Sequence, residues 1–168
     1  MIFITVGTQK FPFDRLLHYI DKLIENGIIQ EEVFAQTGYS NYQPQYYTYE
    51  KFLDSEDFKR YILNSQLVIT HGGTGSIMNA IKVGKKVIAI ARLKEYGEHI
   101  DNHQEEIIQQ LIEKKLILGV NQLKELEGVI RTYQSAETVP YSSNTGEIIT
   151  NIELYLLDLI KAGKVKKG

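Results

Sequence analysis

Residues 67–76, which read LVITHGGTGS, constrain the fold of this chain more than any other segment. The apolar start is typical of a buried strand, and the glycines and hydroxyl residues after it indicate a turn that opens a helix. Such a turn directs backbone N–H groups and the positive end of a helix dipole at one point, which suits a phosphate. His71 stands at the carboxyl end of the strand, where α/β sheets bind ligands. A tight turn with a histidine that merely packs is the alternative interpretation.

Apolar strands alternate with amphipathic helices along the rest of the chain. The predicted strands cover residues 2–6, 32–36, 46–49, 67–70, 86–91 and 117–120. The predicted helices cover residues 12–27, 55–64, 76–83, 101–115 and 121–134. This alternation predicts an α/β fold with a doubly wound, Rossmann-like parallel sheet. Right-handed crossovers place the loops after the strands at one edge, so residues 7–10, 71–76 and 92–103 should line one crevice.

We expect two regions, a Rossmann-like domain of residues 1–134 and a linker with a C-terminal helix over residues 135–168. The apolar face of that helix is wider than one stripe, which suits docking onto a partner. Its members are Ile148, Ile149, Ile152, Leu154, Tyr155, Leu156, Leu157, Leu159 and Ile160.

Composition excludes several classes of protein. The formal net charge of −2 and the pI near 6.1 argue against a general nucleic-acid binder. The absence of cysteine excludes disulfides, zinc–thiolate sites and cysteine nucleophiles. No segment approaches the length of a membrane span, and the N-terminus lacks the basic start of a signal peptide. We therefore expect a cytoplasmic protein.

A second polar cluster lies in the loop after residues 86–91 and at the start of the next helix. It comprises Glu98, Asn102, His103 and Gln104. At the ligand edge of the sheet these groups can hydrogen-bond a polyhydroxylated substrate. Helix capping by Asp101 or Asn102 is the alternative interpretation.

The chain resembles the glycosyltransferase family 28 C-terminal domain. Three features carry this resemblance: the turn at residues 71–76, the strand after it and the Asn102-His103-Gln104 triplet. That domain is the nucleotide-sugar half of a GT-B glycosyltransferase. The chain is similar, more narrowly, to the stand-alone catalytic subunits of split UDP-sugar transferases, as in bacterial capsule and exopolysaccharide synthesis and in dolichol-linked GlcNAc transfer. The opening Val6-Gly7-Thr8 fits these proteins too.

The resemblance implies a role for each matching residue. The donor diphosphate would lie against His71, Gly72, Gly73, Thr74, Gly75 and Ser76. His103 and Gln104, with Asn102, would face the donor sugar, Thr8 would lie near the reaction centre, and the backbone at residues 52–53 would contact uracil. Many relatives carry a ribose-binding glutamate where this chain has Asn79. Asn79 would still hydrogen-bond the ribose, and either the ribose affinity is lower or another group such as Glu98 shares the task.

The implied function is that of the catalytic, donor-binding subunit of a two-component inverting glycosyltransferase that uses a UDP-sugar. No Asp-x-Asp pair occurs, so neither a metal nor another cofactor is expected. The catalytic base and the binding site for a lipid-linked glycan acceptor would be provided by a membrane-anchored partner, bound through the C-terminal helix at the inner face of the membrane. A non-catalytic nucleotide-binding or regulatory subunit is one alternative. An NAD-binding Rossmann protein is the other, although only Gly7-Thr8-Gln9-Lys10 follows the first strand, where a Gly-x-Gly-x-x-Gly fingerprint belongs.

Overall fold

The computed structural model describes residues 1–141, which form one parallel sheet between two layers of helices. The strands are β1 Ile2–Thr5, β2 Val33–Gln36, β3 Thr48–Glu50, β4 Leu67–His71, β5 Lys86–Ile90 and β6 Leu118–Val120. The α-helices of this part are α1 Asp14–Glu25, α2 Ser55–Asn64, α3 Thr74–Ile81, α4 His103–Glu113 and α5 Leu126–Thr132. Short 3₁₀ turns at Lys94–Tyr96 and Leu123–Glu125 precede α4 and α5.

The strand order is β3-β2-β1-β4-β5-β6, and each neighbouring pair is parallel. This confirms the predicted doubly wound α/β fold. The order reverses between β1 and β4, which pair directly with Ile2 opposite Leu67. Chains leaving adjacent strands in opposite directions open a crevice at the carboxyl ends of the strands. We call the end of the sheet where the carboxyl ends of the strands lie the cleft edge, and the end where their amino ends lie the opposite edge.

Alternating residues of each central strand pack into two separate hydrophobic cores, one on each face of the sheet. In β1, Ile2 and Ile4 face the layer formed by α1 and α5, whereas Phe3 faces the layer formed by α2, α3 and α4. Phe34 of β2 stacks on Tyr61 of α2, with ring centroids 3.8 Å apart. Because helices cover both faces, the strands have nearly continuous apolar sequences, and it is this pattern that the sequence displays.

Helix boundaries differ from the predictions where glycine or a polar side chain sets the start. Helix α3 begins at Thr74, two residues early, because Gly73 adopts the extended N-cap conformation. Helix α4 begins at His103 rather than residue 101, after the Asp101 carboxylate accepts a hydrogen bond from the His103 N–H. The predicted helix 121–134 is divided because Gln122 and Glu125 form a capping box around a separate 3₁₀ turn.

The predicted linker begins against the domain. The Val139 N–H donates to the Lys115 carbonyl at 2.8 Å, and Tyr141 packs against the core beneath α4. The predicted C-terminal helix lies outside the described residues. Within residues 1–141, no helix combines the length and the apolar character that crossing a membrane requires.

Candidate functional site

A cleft of about 630 Å³ opens at the cleft edge, where β1 and β4 diverge. The loops after β1 and β4 and the start of α3 form one wall, and the β3–α2 segment forms the other. The lining residues are Gly7, Thr8, Gln9, Gln36, Leu53, Asp54, Ser55, Phe58, Lys59, His71, Gly73, Thr74, Gly75, Ser76 and Asn79. The structure therefore brings together most of the predicted 71–76 turn, Thr8 and Asn79. Their binding roles stay predictions.

The imidazole of His71 is held between two glycines at the back of the cleft. A Cβ at Gly7 would lie 2.5 Å from His71 Cε1, and a Cβ at Gly73 would overlap His71 Nε2. Gly7 also has a positive φ of 76°, which favours glycine independently. Gly73 in the predicted turn and Gly7 after β1 are thus needed because their backbones pass close to the His71 ring. The sequence shows both glycines but not the side chain that they accommodate.

His71 is a neutral imidazole at physiological pH. Burial, followed by the nearby charge of Arg92, lowers the pKa of His71 from 6.5 to about 3. The Thr70 hydroxyl donates to the Thr5 carbonyl at 2.9 Å and lies 3.3 Å from His71 Nδ1. Its oxygen is therefore left to accept from Nδ1, which places the ring proton there and a lone pair on Nε2. Such a ring accepts a hydrogen bond from a ligand hydroxyl better than it contacts an ionised phosphate oxygen.

The N-terminus of α3 provides the hydrogen-bond donors of the cleft. The first backbone N–H groups of a helix have no intrahelical acceptor, and the N-cap Gly73 has no side chain to supply one. Thr74, Gly75 and Ser76 all line the cleft, and an added Cβ at Gly75 would meet no atom within 4 Å. The positive end of the helix dipole acts at the same point. This arrangement suits an anion such as a diphosphate.

Gln104 connects two loops of the cleft edge instead of lining the cleft. Its Oε1 accepts hydrogen bonds from the Gly72 N–H and the Arg92 N–H, each at 3.0 Å. A Cβ at Gly72 would lie 2.6 Å from Gln104 Cβ, so glycine permits this contact. The carbonyl oxygen of Gln104 is thus occupied, and only its amide NH₂ group remains for the predicted contact with a sugar hydroxyl.

Glu98 does not reach the cleft, which corrects the expectation that it shares ribose binding. Its carboxylate forms a bidentate pair with Arg15, at 2.9 Å to both Nε and Nη2. Glu98 Oε2 also accepts from the Leu93 N–H at 3.0 Å. A carboxylate with both oxygens occupied in a buried site holds the loop after β5 against α1. It is not available to bind ribose hydroxyls.

Asn102 and His103 also lie outside the cleft lining. Asn102 Oδ1 accepts from the Lys94 N–H at 2.9 Å, so Asn102 orders the preceding loop. Asp101 Oδ1 accepts from the His103 N–H at 3.1 Å and lies 3.0 Å from His99 Nδ1. The structure thus assigns helix capping, the alternative interpretation, to Asp101. The sugar-facing role of His103 stays a prediction.

The second wall contains residues that sequence reasoning did not select. They are Asp54, Ser55, Phe58 and Lys59, together with Gln36 at the end of β2. Gln36 Oε1 accepts from the Leu53 N–H at 3.1 Å, which removes that N–H from the predicted uracil contact. Asp54 caps α2 by accepting from the Glu56 and Asp57 N–H groups. The capping motif at Asp54 is visible in the sequence, but its position beside the glycine turn depends on strand order.

Arg92 begins the 92–103 loop that was predicted to line the crevice, but it lies behind the cleft and has a role that the sequence did not indicate. It follows β5 and is completely buried, and its Nη2 donates to the carbonyls of Val6 and Phe11. The β1–α1 loop, which carries Gly7 and Thr8 into the cleft, is thereby tied to β5. Among residues 1–141, no group of three or more histidine or carboxylate side chains is arranged to hold a metal ion.

Comparison with protein families identifies the domain. The profile of the glycosyltransferase family 28 C-terminal domain matches residues 1–153. The UDP-N-acetylglucosamine transferase subunit ALG13 of Kluyveromyces lactis is 38% identical over 68 residues, which cover 40% of this chain and 32% of that protein. The ALG13 subunit of Yarrowia lipolytica is 27% identical over 134 residues, which cover 70% of this chain and 63% of that protein. The chain therefore spans less than two thirds of the length of these relatives.

A solved structure supports the fold. The NMR solution structure of ALG13 matches with a TM-score of 0.56 and 20% sequence identity, covering 83% of this chain and 87% of that one. Identity at this level shows the fold alone. It agrees with the parallel six-stranded sheet described above.

Proposed function

The chain belongs to the glycosyltransferase family 28 C-terminal domain family, and from this membership we propose that it is the catalytic, donor-binding subunit of a two-component inverting glycosyltransferase. The donor is a UDP-sugar. The ALG13 relatives are named UDP-N-acetylglucosamine transferase subunits, which supports this donor class. The acceptor is a lipid-linked glycan of surface polysaccharide synthesis.

The observation that carries the proposal is the cleft between β1 and β4. It combines the uncapped N-terminus of α3, the hydroxyl side chains of Thr74 and Ser76, and the neutral ring of His71. Backbone N–H groups bind the diphosphate. The lone pair of His71 Nε2 accepts from a hydroxyl of the donor. The second wall, from Leu53 to Lys59, is left for the nucleoside.

The chemistry follows from where charge develops. Breaking the bond between the sugar and the phosphate leaves negative charge on the diphosphate and positive charge on the sugar ring. Fixed N–H donors and a helix dipole at the leaving group stabilise that separation of charge without reorganising. These groups perform the task that a divalent cation performs in other transferases, so the proposal includes no metal or cofactor.

An inverting transfer also needs a base for the acceptor hydroxyl, and the cleft of the described domain offers none. Asp54 is the one carboxylate in the lining; its Oδ1 caps α2, and it stands on the wall that is left for the nucleoside. The lowered pKa of His71 makes that ring a weak base. We therefore assign the base and the acceptor site to a partner subunit, with Thr8 near the reaction centre.

The remaining parts of the proposal concern assembly. Residues 1–134 are the donor-binding domain, and the segment 135–168 docks on a membrane-anchored partner. This docking brings a cytoplasmic chain to the inner face of the membrane. The ALG13 relatives are named as subunits, which supports an assembly of more than one chain.

One observation favours a second candidate function. Asn79 lines the cleft where many relatives carry the ribose-binding glutamate, and its single amide oxygen accepts fewer hydrogen bonds than a carboxylate. A subunit that binds nucleotide weakly and regulates a catalytic partner is therefore the alternative. Transfer of a radiolabelled sugar by the co-expressed pair separates the two, because a regulatory subunit leaves transfer intact when His71 is replaced.

The first experiment is calorimetric titration of the purified chain with UDP and with NAD. We expect UDP to bind and NAD not to bind. His71→Ala should weaken UDP binding by about tenfold or more, because the ring supports both loops of the wall. His18→Ala is the matched control, since His18 lies on α1 and packs on Tyr42. Binding of NAD without UDP, or of neither nucleotide, would contradict the donor-site assignment.

A further inference from the structure

Arg92 carries a charge that the described structure buries without neutralising. Its side chain is 0% exposed, and burial lowers its pKa only to about 10, so the guanidinium is protonated at neutral pH. Nη2 donates to the Val6 and Phe11 carbonyls, but Nε and Nη1 have no hydrogen-bond partner within residues 1–141. A buried charge with unused donors is costly unless a counter-charge is close.

The nearby carboxylate does not provide that counter-charge. Glu98 is close enough to raise the pKa of Arg92, but both of its oxygens are bound to Arg15 and to the Leu93 N–H. In the ion pairs formed among residues 1–141, Arg92 takes no part. Glu98 is thus paired with Arg15, and the positive charge of Arg92 is left in excess beside the cleft.

Arg92 acts on the cleft from behind its wall. The two carbonyls that it binds bracket residues 7–10, and Gly7, Thr8 and Gln9 of this loop line the cleft. Its charge also lowers the pKa of His71, so its field reaches the ring at the back of the cleft. Arg92 is fully buried, so water screens the electrostatic field of its charge only weakly. This charge would therefore attract an anion bound in the cleft.

We infer that Arg92 is a positioning residue that holds the Val6–Phe11 loop in place and supplies the unpaired positive charge against which the cleft binds an anionic ligand. Arg92 itself does not touch that ligand. The inference rests on the proposed function for the identity of the ligand, a nucleoside diphosphate. The competing explanation is that Arg92 only holds the loop in place, as a structural tether. The two explanations differ in whether Arg92 strengthens the binding of a charged ligand more than that of an uncharged one.

The test compares UDP with uridine, which lacks the diphosphate, by calorimetric titration of the full chain. In the wild-type protein UDP should bind more tightly. Arg92→Met should reduce the ratio of UDP to uridine affinity by about tenfold or more, since the ligand loses its counter-charge. Arg92→Lys, which keeps the charge but not the fork, should retain most of that ratio. Arg131→Met, on the exposed surface of α5, is the matched control and should change nothing.

A structural tether gives a different pattern. If Arg92→Met weakens UDP and uridine by the same factor, or if Arg92→Lys loses as much of the ratio as Arg92→Met, the inference is overturned. Thermal unfolding of each variant shows whether it is folded.

If the variants do not fold, the wild-type protein decides. The sequence has only four arginines, so the ¹⁵Nε–¹H signal of Arg92 can be identified in an arginine-labelled sample. That signal should shift on addition of UDP and not of uridine, and equal shifts would overturn the inference. If the wild-type chain binds neither compound, the proposed function fails and the inference fails with it. If UDP binds no better than uridine, only the Arg92 inference fails.

Discussion

The two edges of the sheet use glycine for different purposes. At the cleft edge, Gly7 and Gly73 are required because any Cβ would meet the His71 ring. At the opposite edge, Gly27 and Gly84 follow α1 and α3 with positive φ values of 70° and 74°, and an added Cβ would meet nothing within 4 Å. Glycine at the opposite edge therefore serves the backbone alone. Gly7 and Gly73 at the cleft edge leave room for the His71 side chain, which marks the site.

Cationic side chains show the same contrast. At the opposite edge, the Lys86 ammonium donates to the Tyr133 and Gln134 carbonyls, and the Lys85 ammonium donates to those of Leu63 and Ser65. Arg92 at the cleft edge leaves two of its three nitrogens without a partner among residues 1–141. The two lysine ammonium groups of the opposite edge are thus hydrogen-bonded internally, whereas the guanidinium of Arg92 beside the cleft is only partly so.

The largest loss of stability should come from adding a methyl group to a glycine at the cleft edge, and the same change at the opposite edge is its control. Gly73→Ala should lower the free energy of unfolding by about 3 kcal/mol, because its Cβ overlaps the buried His71 ring and displaces it. The same variant should abolish UDP binding. Gly84→Ala should cost only about 1 kcal/mol, the price of a left-handed conformation, and leave UDP binding unchanged. Urea unfolding and calorimetric titration measure the two quantities.

Equal losses of stability in the two variants would remove the distinction between the edges. Gly73→Ala and Gly75→Ala form a second matched pair. Gly75 also lies in the cleft, but its Cβ would meet no atom within 4 Å. Gly75→Ala should therefore preserve the fold.

Gln104 tests whether the cleft edge depends on long-range hydrogen bonds. Gln104→Ala leaves the buried N–H groups of Gly72 and Arg92 without an acceptor, which should cost about 2–3 kcal/mol in unfolding free energy. Gln109→Ala on the exposed face of the same helix removes only a contact with Glu113 and should cost less than about 0.5 kcal/mol. Chemical denaturation measures both. A Gln104→Ala protein as stable as the Gln109→Ala protein would show that the two loops do not need this connection.

The pH dependence of stability should reveal the buried histidine. Because the pKa of His71 falls from 6.5 to about 3 on folding, the unfolded chain binds the extra proton between these values. The contribution of His71 to stability is therefore intact above pH 6.5 and decreases as the pH falls, by up to about 1.4 kcal/mol per pH unit. Between pH 6.5 and 5 the loss should be about 2 kcal/mol. Urea unfolding at several pH values measures the slope.

His71→Gln keeps a polar side chain that does not titrate, so it should flatten this slope. His18→Gln, which removes an imidazole on α1 that packs on Tyr42, is the control. A wild-type slope that survives His71→Gln would mean that other groups govern the acid transition.

Sequence reasoning could identify the glycine turn because all of its signals lie within ten neighbouring residues. The alternation of strands and helices similarly predicted the parallel sheet and placed the loops after β1 and β4 at one crevice. Arg92, Gln104 and Glu98 could not be interpreted correctly, since their partners are 86, 32 and 83 positions away. Charged and amide side chains have no periodicity that indicates a distant partner. Each was therefore overlooked or assigned to the ligand, whereas in the structure they connect the loops that form the cleft.

The smallest effect should come from the cations of the opposite edge. Lys86→Met removes an ammonium group that binds two carbonyls at the end of α5, which should cost about 1 kcal/mol in unfolding free energy. UDP affinity should not change, because this side chain lies at the amino end of β5, away from the cleft. Arg92→Met, at the other end of the same strand, should change UDP affinity strongly. If Lys86→Met weakened UDP binding as much as Arg92→Met, general surface charge would explain nucleotide binding, and the placement of charge at the cleft edge would have no special role.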